Sequence, residues 1–198
     1  MPGTCTPMSL VIAFIGIQGA VMAGDTREII TIGDEASTEI LEHELYSGLL
    51  ITDDDVKKRA IDLGISLTIN DDKRKVTQRN GMLVGEVSET KCGVTKKRRL
   101  YATAGEYVLT EVTGSTVHVT GKGTASNFVV LGNEITQQIA HACIREQWKH
   151  GGMQDAIRII MLSMKRAADA TASVSGLYNL INSTMKISLS EGIERDNW

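Results

Sequence analysis

Ser9 opens an apolar run, Ser9-Leu-Val-Ile-Ala-Phe-Ile-Gly16, directly after Met8. A chain can be trimmed after a methionine that precedes a small residue, and trimming here would give Ser9 a free α-amino group. A hydroxyl beside its own amine is a nucleophile carrying its base on the same residue. Such a pair works best with a cation close to the hydroxyl and an acid that holds the cation. The segment Gly19-Ala-Val-Met-Ala-Gly-Asp25-Thr-Arg27 supplies the acid, Asp25, where a second apolar strand ends, with the basic Arg27 just beyond it. The segment Asp71-Asp-Lys73-Arg-Lys75 supplies the cation at the head of a further strand, with Lys75, or alternatively Lys73, directed inward. A lysine buried there loses solvent, which lowers its pKa, while a carboxylate partner holds it charged. Downstream, Asn80-Gly-Met-Leu-Val-Gly85-Glu86 ends a strand on a glycine. Gly85 would let a backbone N–H approach a substrate carbonyl, as an oxyanion donor must. Taken singly, a Gly-Asp pair is commonly a turn and a Lys-Arg-Lys run commonly a solvated face. Order and spacing carry the reading.

These residues need a sandwich of strands to bring them together. Residues 9–16 and 19–26 read as a hairpin, with 28–31 prolonging its second strand. Two helical segments follow. The first, 37–46, is apolar at Ile40, Leu41 and Leu45 and stops at Gly48. The second begins at the cap Thr52 with three aspartates in its first turn, buries Val56, Ala60, Ile61 and Leu63, and stops at Gly64. Alternating segments at 66–69, 75–78, 82–87, 100–104, 107–112, 116–120 and 128–131 then read as strands between Gly-containing turns. Asn133 caps a helix with Ile135, Ile139, Ala142 and Cys143 on one face. A second helix carries Ala156, Ile157, Ile160, Met161, Met164 and Ala168 at helical spacing, a core stripe rather than a cofactor box. A strand near 185–189 closes the domain, and 191–198 reads as a polar tail. Strands, a helix pair and strands again point to an α+β fold in which helices cover an antiparallel sheet.

Composition narrows the function. The chain has 198 residues, enough for one domain with a substantial core, and a net charge of -3. With 4% aromatics and no global positive charge, a nucleic-acid partner is not expected, and Lys96-Lys-Arg-Arg99 reads as a solvated loop or strand start. Three cysteines without CxxC spacing suit a reducing cytosol, and four histidines without paired ligand spacing predict no metal. The run 8–17 is too short to span a bilayer and lacks a basic flank, so it is not a signal peptide. A cytoplasmic protein without membrane insertion is expected.

The order of hydroxyl nucleophile, hairpin ending in acid and arginine, lysine at a strand head and strand ending in glycine resembles the proteasome β-subunit branch of N-terminal-nucleophile hydrolases. The segments SLVIAFIG, GAVMAGDTR, DDKRKV and LVGEV, with the basic run before LYAT, bring the chain closer to connectase, a proteasome-like family of methanogenic archaea. That family inserts helices between acid and lysine, as this chain does over 36–64, and the likeness spans about residues 9–190. The resemblance implies an Ntn-hydrolase-like αββα sandwich over 9–190 with Ser9 as nucleophile, Asp25 as acid, Lys75 as the lysine, Gly85 as the oxyanion glycine and Arg27 in support. It implies no cofactor. It further implies a peptide transpeptidase that cleaves within a Lys-Asp-Pro-Gly-Ala motif, holds one fragment and passes it to another peptide. The implied natural partner is a component of the methyltransferase of methanogenesis.

The sequence departs from the proteasome pattern in two ways. Eight residues precede Ser9, and the expectation is that 1–8 are a leader or start-site extension absent from the working protein. After the last long helix, Ser173 and Ser175 stand where proteasome subunits have an acid and serines, and the acid has no counterpart. The turn Gly132-Asn133 replaces the usual Ser-Gly. An ordinary peptidase on the same scaffold is the rival reading, as is a binding protein in which the first eight residues are retained. A monomer is expected rather than a proteasome-like ring.

Overall fold

A computed structural model describes residues 9–91 and 94–196, so the expected leader at 1–8 lies outside the described residues. The opening hairpin forms as the sequence predicts. β1 (Leu10–Ile15) and β2 (Ala20–Asp25) pair antiparallel around a tight turn closed by Gly16 N–H donating to Gly19 C=O at 2.8 Å. Both strands are buried throughout, because β10 (Asn127–Gly132) and β11 (Tyr178–Ser183) flank them in a four-stranded sheet of order β10-β1-β2-β11.

A second, five-stranded sheet packs on one face of the first. It is a meander of β5 (Val76–Arg79), β6 (Met82–Lys91), β7 (Val94–Thr103), β8 (Glu106–Thr113) and β9 (Thr116–Thr124). Positive φ at Asn80 (49°) and Gly81 (82°) makes the β5–β6 connection a two-residue hairpin turn whose twist suits the strands. Alternation along β1 sends Val11, Ala13 and Ile15 to this sheet, where they meet Leu83, Val87, Leu100 and Ala102. Leu10, Ile12 and Phe14 face the other way, onto α3 (Glu134–Gln147) and α4 (Met153–Ala170). Beyond the second sheet, Met82, Val84 and Tyr101 pack against α5 (Leu189–Asp196). The layers therefore run helices, sheet, sheet, helix, with one short helix in the fourth layer.

The insert has a core of its own. β3 (Glu28–Ile32) does not prolong β2. It pairs with β4 (Ser66–Asn70) in a separate two-stranded sheet. Between them α1 (Glu35–Tyr46), capped by Asp34, and α2 (Asp53–Asp62), with a capping box at Thr52, bury Leu41, Leu45, Val56 and Ala60 against Ile29 and Ile65. Gly48 and Gly64 adopt φ of +75° and +68° and end the two helices as expected.

Several sequence expectations are corrected. Ile61, assigned to the buried stripe of α2, is 77% exposed. The stripe of α4 is turned so that Ile159, Ser163 and Ala167 are buried while Met161 is exposed. On α3 the buried residues are Thr136, Ala140 and Cys143. The closing strand is β11, seven residues before the position expected for it. The segment 191–196 is no polar tail but most of α5, anchored where Tyr101 donates to Asp196 at 3.1 Å. The basic run lies inside β7, where Lys97 and Arg99 pair with Glu86 across the ladder.

The sheets meet closely at two glycines. A Cβ on Gly85 would lie 2.7 Å from Val11 Cγ1 and 2.8 Å from Met22 Sδ, and one on Gly24 would lie 2.9 Å from Val76 Cγ1. Gly85→Ala is accordingly expected to cost about 1–3 kcal/mol by overpacking, read as a lowered midpoint in denaturant unfolding with an unchanged slope.

Candidate functional site

Asp25 ends β2 with its carboxylate fully buried. Each oxygen is matched by donors. Leu10 N–H donates to Oδ1 at 2.7 Å and Arg27 N–H to Oδ2 at 2.9 Å. Lys75 Nζ donates to Oδ1 at 2.8 Å and to Oδ2 at 2.9 Å. The contact with Leu10 places the acid against the first residue of β1, next to Ser9, which is itself buried. Lys75 stands immediately before β5, and its Cβ packs beside Gly24, so the small residue before Asp25 gives the lysine its entry. Burial pulls the Lys75 ammonium below the ordinary lysine pKa, and the Asp25 charge and hydrogen bonds oppose this without cancelling it. Lys73 points elsewhere, to Glu28 on β3, which identifies Lys75 as the inward lysine.

Arg27 is a buried hub. Its Nε and Nη2 form a two-pronged pair with Asp71 at 2.8 and 2.9 Å. Nη1 donates to Asp53 Oδ1 at 2.6 Å and to the Ala172 carbonyl at 2.8 Å. One side chain thus ties the end of the opening hairpin to the first turn of α2, to the loop before β5 and to the loop after α4. The pair with Asp71 raises the pKa of Arg27 above its ordinary value. Asp71 is held below the usual carboxylate range, first by the Arg27 guanidinium and also by a hydrogen bond from Ser175, with partial burial opposing.

The loop after α4 is therefore not without an acid. Asp71 reaches Ser175 from the other side of the site, whereas the proteasome pattern places the acid within the loop itself. Ser173 is fully buried, and its Oγ accepts from Asn133 Nδ2 at 3.0 Å while Asn133 Oδ1 caps α3. The Gly132-Asn133 turn, whose backbone abuts the Ser9 carbonyl, is thereby joined to the same loop. Asp53 and Asp71 are the residues that sequence reading misses. In the sequence Asp53 is only a first-turn acid of a helix, and Asp71 only part of a charged run.

Gly85 is not placed as an oxyanion donor. Glu86 N–H donates to Lys75 C=O at 2.8 Å, so Glu86 turns its backbone toward β5. Neighbouring residues of a strand alternate, which directs the Gly85 N–H to its partner Leu100 in β7. The glycine is there for close packing of the sheets.

The fold and site together define a helix–sheet–sheet–helix sandwich whose central strand follows directly on a serine beside a buried lysine–aspartate pair. The family model described as "Connectase MJ0548-like, N-terminal domain" matches residues 8–197, and the chain belongs to the connectase family. No curated protein matches it. Among solved structures, it is similar to Anbu (ancestral beta-subunit) from Yersinia bercovieri at 9% identity, covering 88% of this chain and 80% of that one with a TM-score of 0.41. It is also similar to eukaryotic HslV from Trypanosoma brucei at 16% identity, covering 87% and 98% with a TM-score of 0.39. Among the described residues no helix is long and apolar enough to cross a membrane.

The lysine pKa has a consequence for stability. Because the folded-state value is lowered, the unfolded chain binds more protons through the window between the folded Lys75 pKa and the ordinary lysine value of 10.5. Stability contributed by this group rises with pH across that window and is lost as pH falls through the folded value. Lys75→Met should flatten this slope in urea unfolding measured over alkaline pH. Asp25→Asn should cost about 3–5 kcal/mol at pH 7, the scale of a buried charge left without its partner.

Proposed function

We propose that this connectase is a sequence-specific peptide transpeptidase with Ser9 as its nucleophile. The observation that carries the reading is the saturated Asp25 carboxylate, held at once by Lys75 Nζ and by the backbone of Leu10, the residue after Ser9. It fixes a cation at the end of the strand that the serine opens. The rest of the mechanism follows from elementary chemistry once residues 1–8 are removed. An α-amine with an ordinary pKa of about 7.7–8.0 is partly neutral at pH 7 and accepts the Ser9 hydroxyl proton. Oγ then bonds to the substrate carbonyl carbon, the peptide C–N bond breaks, and the leaving nitrogen takes the proton from the amine. Lys75 lowers the pKa of the hydroxyl, and Asp25 orients Lys75.

Transfer rather than hydrolysis is favoured by the second role of the amine. It attacks the ester carbonyl, the serine oxygen leaves as hydroxyl, and the acyl fragment rests as an amide on the protein's own nitrogen. The step reverses when an incoming peptide amine is bound. The substrate class is a protein or peptide with a Lys-Asp-Pro-Gly-Ala-like motif, cut before the proline, and a component of the methyltransferase of methanogenesis is the proposed natural partner. We place the reaction in the cytoplasm of a methanogenic archaeon, carried out by a monomer without a cofactor.

An ordinary peptidase on the same scaffold would give a different product. Protein beginning at Ser9, incubated with a Lys-Asp-Pro-Gly-Ala peptide and a second peptide starting Pro-Gly-Ala, should yield exchanged peptides and a covalent adduct by mass spectrometry. Adduct formation should rise as pH passes through about 7–8, following the amine. Ser9→Ala should abolish both products, and an adduct on that variant would refute the assignment. Hydrolysed peptide alone would support the peptidase, and no product from protein that retains Met1 and the following seven residues is the expected control.

A further inference from the structure

The two sheets end on the same side in strands whose outer edges face open space. On β2, the closing pair Gly16–Gly19 and the Thr26 N–H donating to Leu177 C=O at 3.2 Å fix the alternation. Asn179, Ile181 and Ser183 exchange backbone bonds with β2, so Tyr178, Leu180 and Asn182 turn their N–H and C=O outward. On β5 the bond from Glu86 to Lys75 leaves Val76 and Gln78 turned outward in the same way. Between these edges lies a cleft of about 740 Å³ lined by Arg74, Val76, Gln78 and Arg79 on one side and Tyr178 to Ile181 on the other. At the opposite side of the sandwich the chain runs directly from β9 into β10, where Ala125 N–H donates to Gly105 C=O at 2.9 Å and closes the gap.

Edge strands usually carry a guard such as a charge, a proline or a bulge, because their unpaired backbone invites another strand. β11 reads Tyr-Asn-Leu-Ile-Asn-Ser and has no charge and no proline. The charge sits across the cleft instead. Arg74 is exposed and makes no ion pair among the described residues, Arg79 is shared only with Asp196 at 3.2 Å, and no carboxylate lines the cleft. A free strand edge facing two guanidinium groups suits an extended peptide that pairs with one wall and offers carboxylates to the other.

We propose that this cleft docks an extended acidic segment of a partner protein, added to the first sheet as a strand beside β11. The site is separate from the Ser9 chemistry, since Arg74 and the outer edge of β11 take no part in it.

A fluorescein-labelled six-residue peptide of alternating Val and Glu tests this by anisotropy at low salt, with amide shifts followed by NMR. Saturable binding should move the Tyr178, Leu180 and Asn182 amides. Arg74→Glu, which leaves the ion pairs of the described residues intact, should weaken it by about tenfold or more, the scale of a lost charge-assisted bond. Two versions of the peptide, N-methylated on one or the other set of alternate amides, should differ sharply, because only one set faces β11. A Val-Lys peptide should not bind. The proposal is overturned by absent binding, by equal effects of the two methylation patterns, by indifference to Arg74→Glu, or by shifts confined to other strands.

Discussion

Everything at the reactive end of this molecule depends on how one buried carboxylate is satisfied. Asp25 receives Lys75 on both oxygens and a backbone N–H on each, so no lone pair is left facing apolar surroundings. Those donors come from β1, from the turn after β2 and from the residue before β5, and the carboxylate thereby fixes three segments in one geometry. A buried charge that lacked any of them would cost several kcal/mol of desolvation. The same contacts decide where the lysine charge lies relative to Ser9, and the glycine before Asp25 decides that the lysine can enter at all.

Arg27 extends that geometry outward. A lysine could not replace it, because acceptors on three segments are met by a planar fork with fixed N–H directions. Through Asp53 the fork reaches the inserted helices, which would otherwise be a small satellite core resting on the sandwich. Through Asp71 and Ala172 it reaches the loop that carries Ser173 and Ser175. The insert is thus part of the wall of the site, coupled to Asp25 by a single side chain whose own N–H also binds that carboxylate.

The hairpin, the insert, the helix caps and the order of Ser9, Asp25 and Lys75 are legible in the sequence, because these depend on local patterns and on a fixed succession along the chain. What depends on distance across the fold is not. Asp71 reads as one acid in a charged run, and only folding sets it against Ser175 and Arg27. Gly85 reads as a strand end, yet β6 runs six residues further, because its β7 partner, the basic segment, continues the ladder with Glu86 opposite Arg99. A strand that continues keeps its N–H groups in the ladder, so the glycine's value passes from donation to packing. The closing strand is displaced for a similar reason. Tyr178–Ser183 is too mixed in polarity to stand out alone, and its pairing with β2 supplies what its composition does not.

On stability alone, the lysine–aspartate pair is poorly justified. Two apolar side chains of similar volume at these positions would bury the same space without the desolvation cost, and such exchanges are often neutral or stabilising. Nor does the pair reach full compensation, since burial still holds the Lys75 pKa below its ordinary value despite a carboxylate at 2.8 Å. A charge kept at a net cost, at the head of one strand and against the start of another, is more readily explained by what it does to its neighbours. The neighbour that β1 offers is a hydroxyl. A cation whose burial is not fully offset by its carboxylate has attraction left for a developing oxyanion or alkoxide, and that residual field is what a serine nucleophile needs.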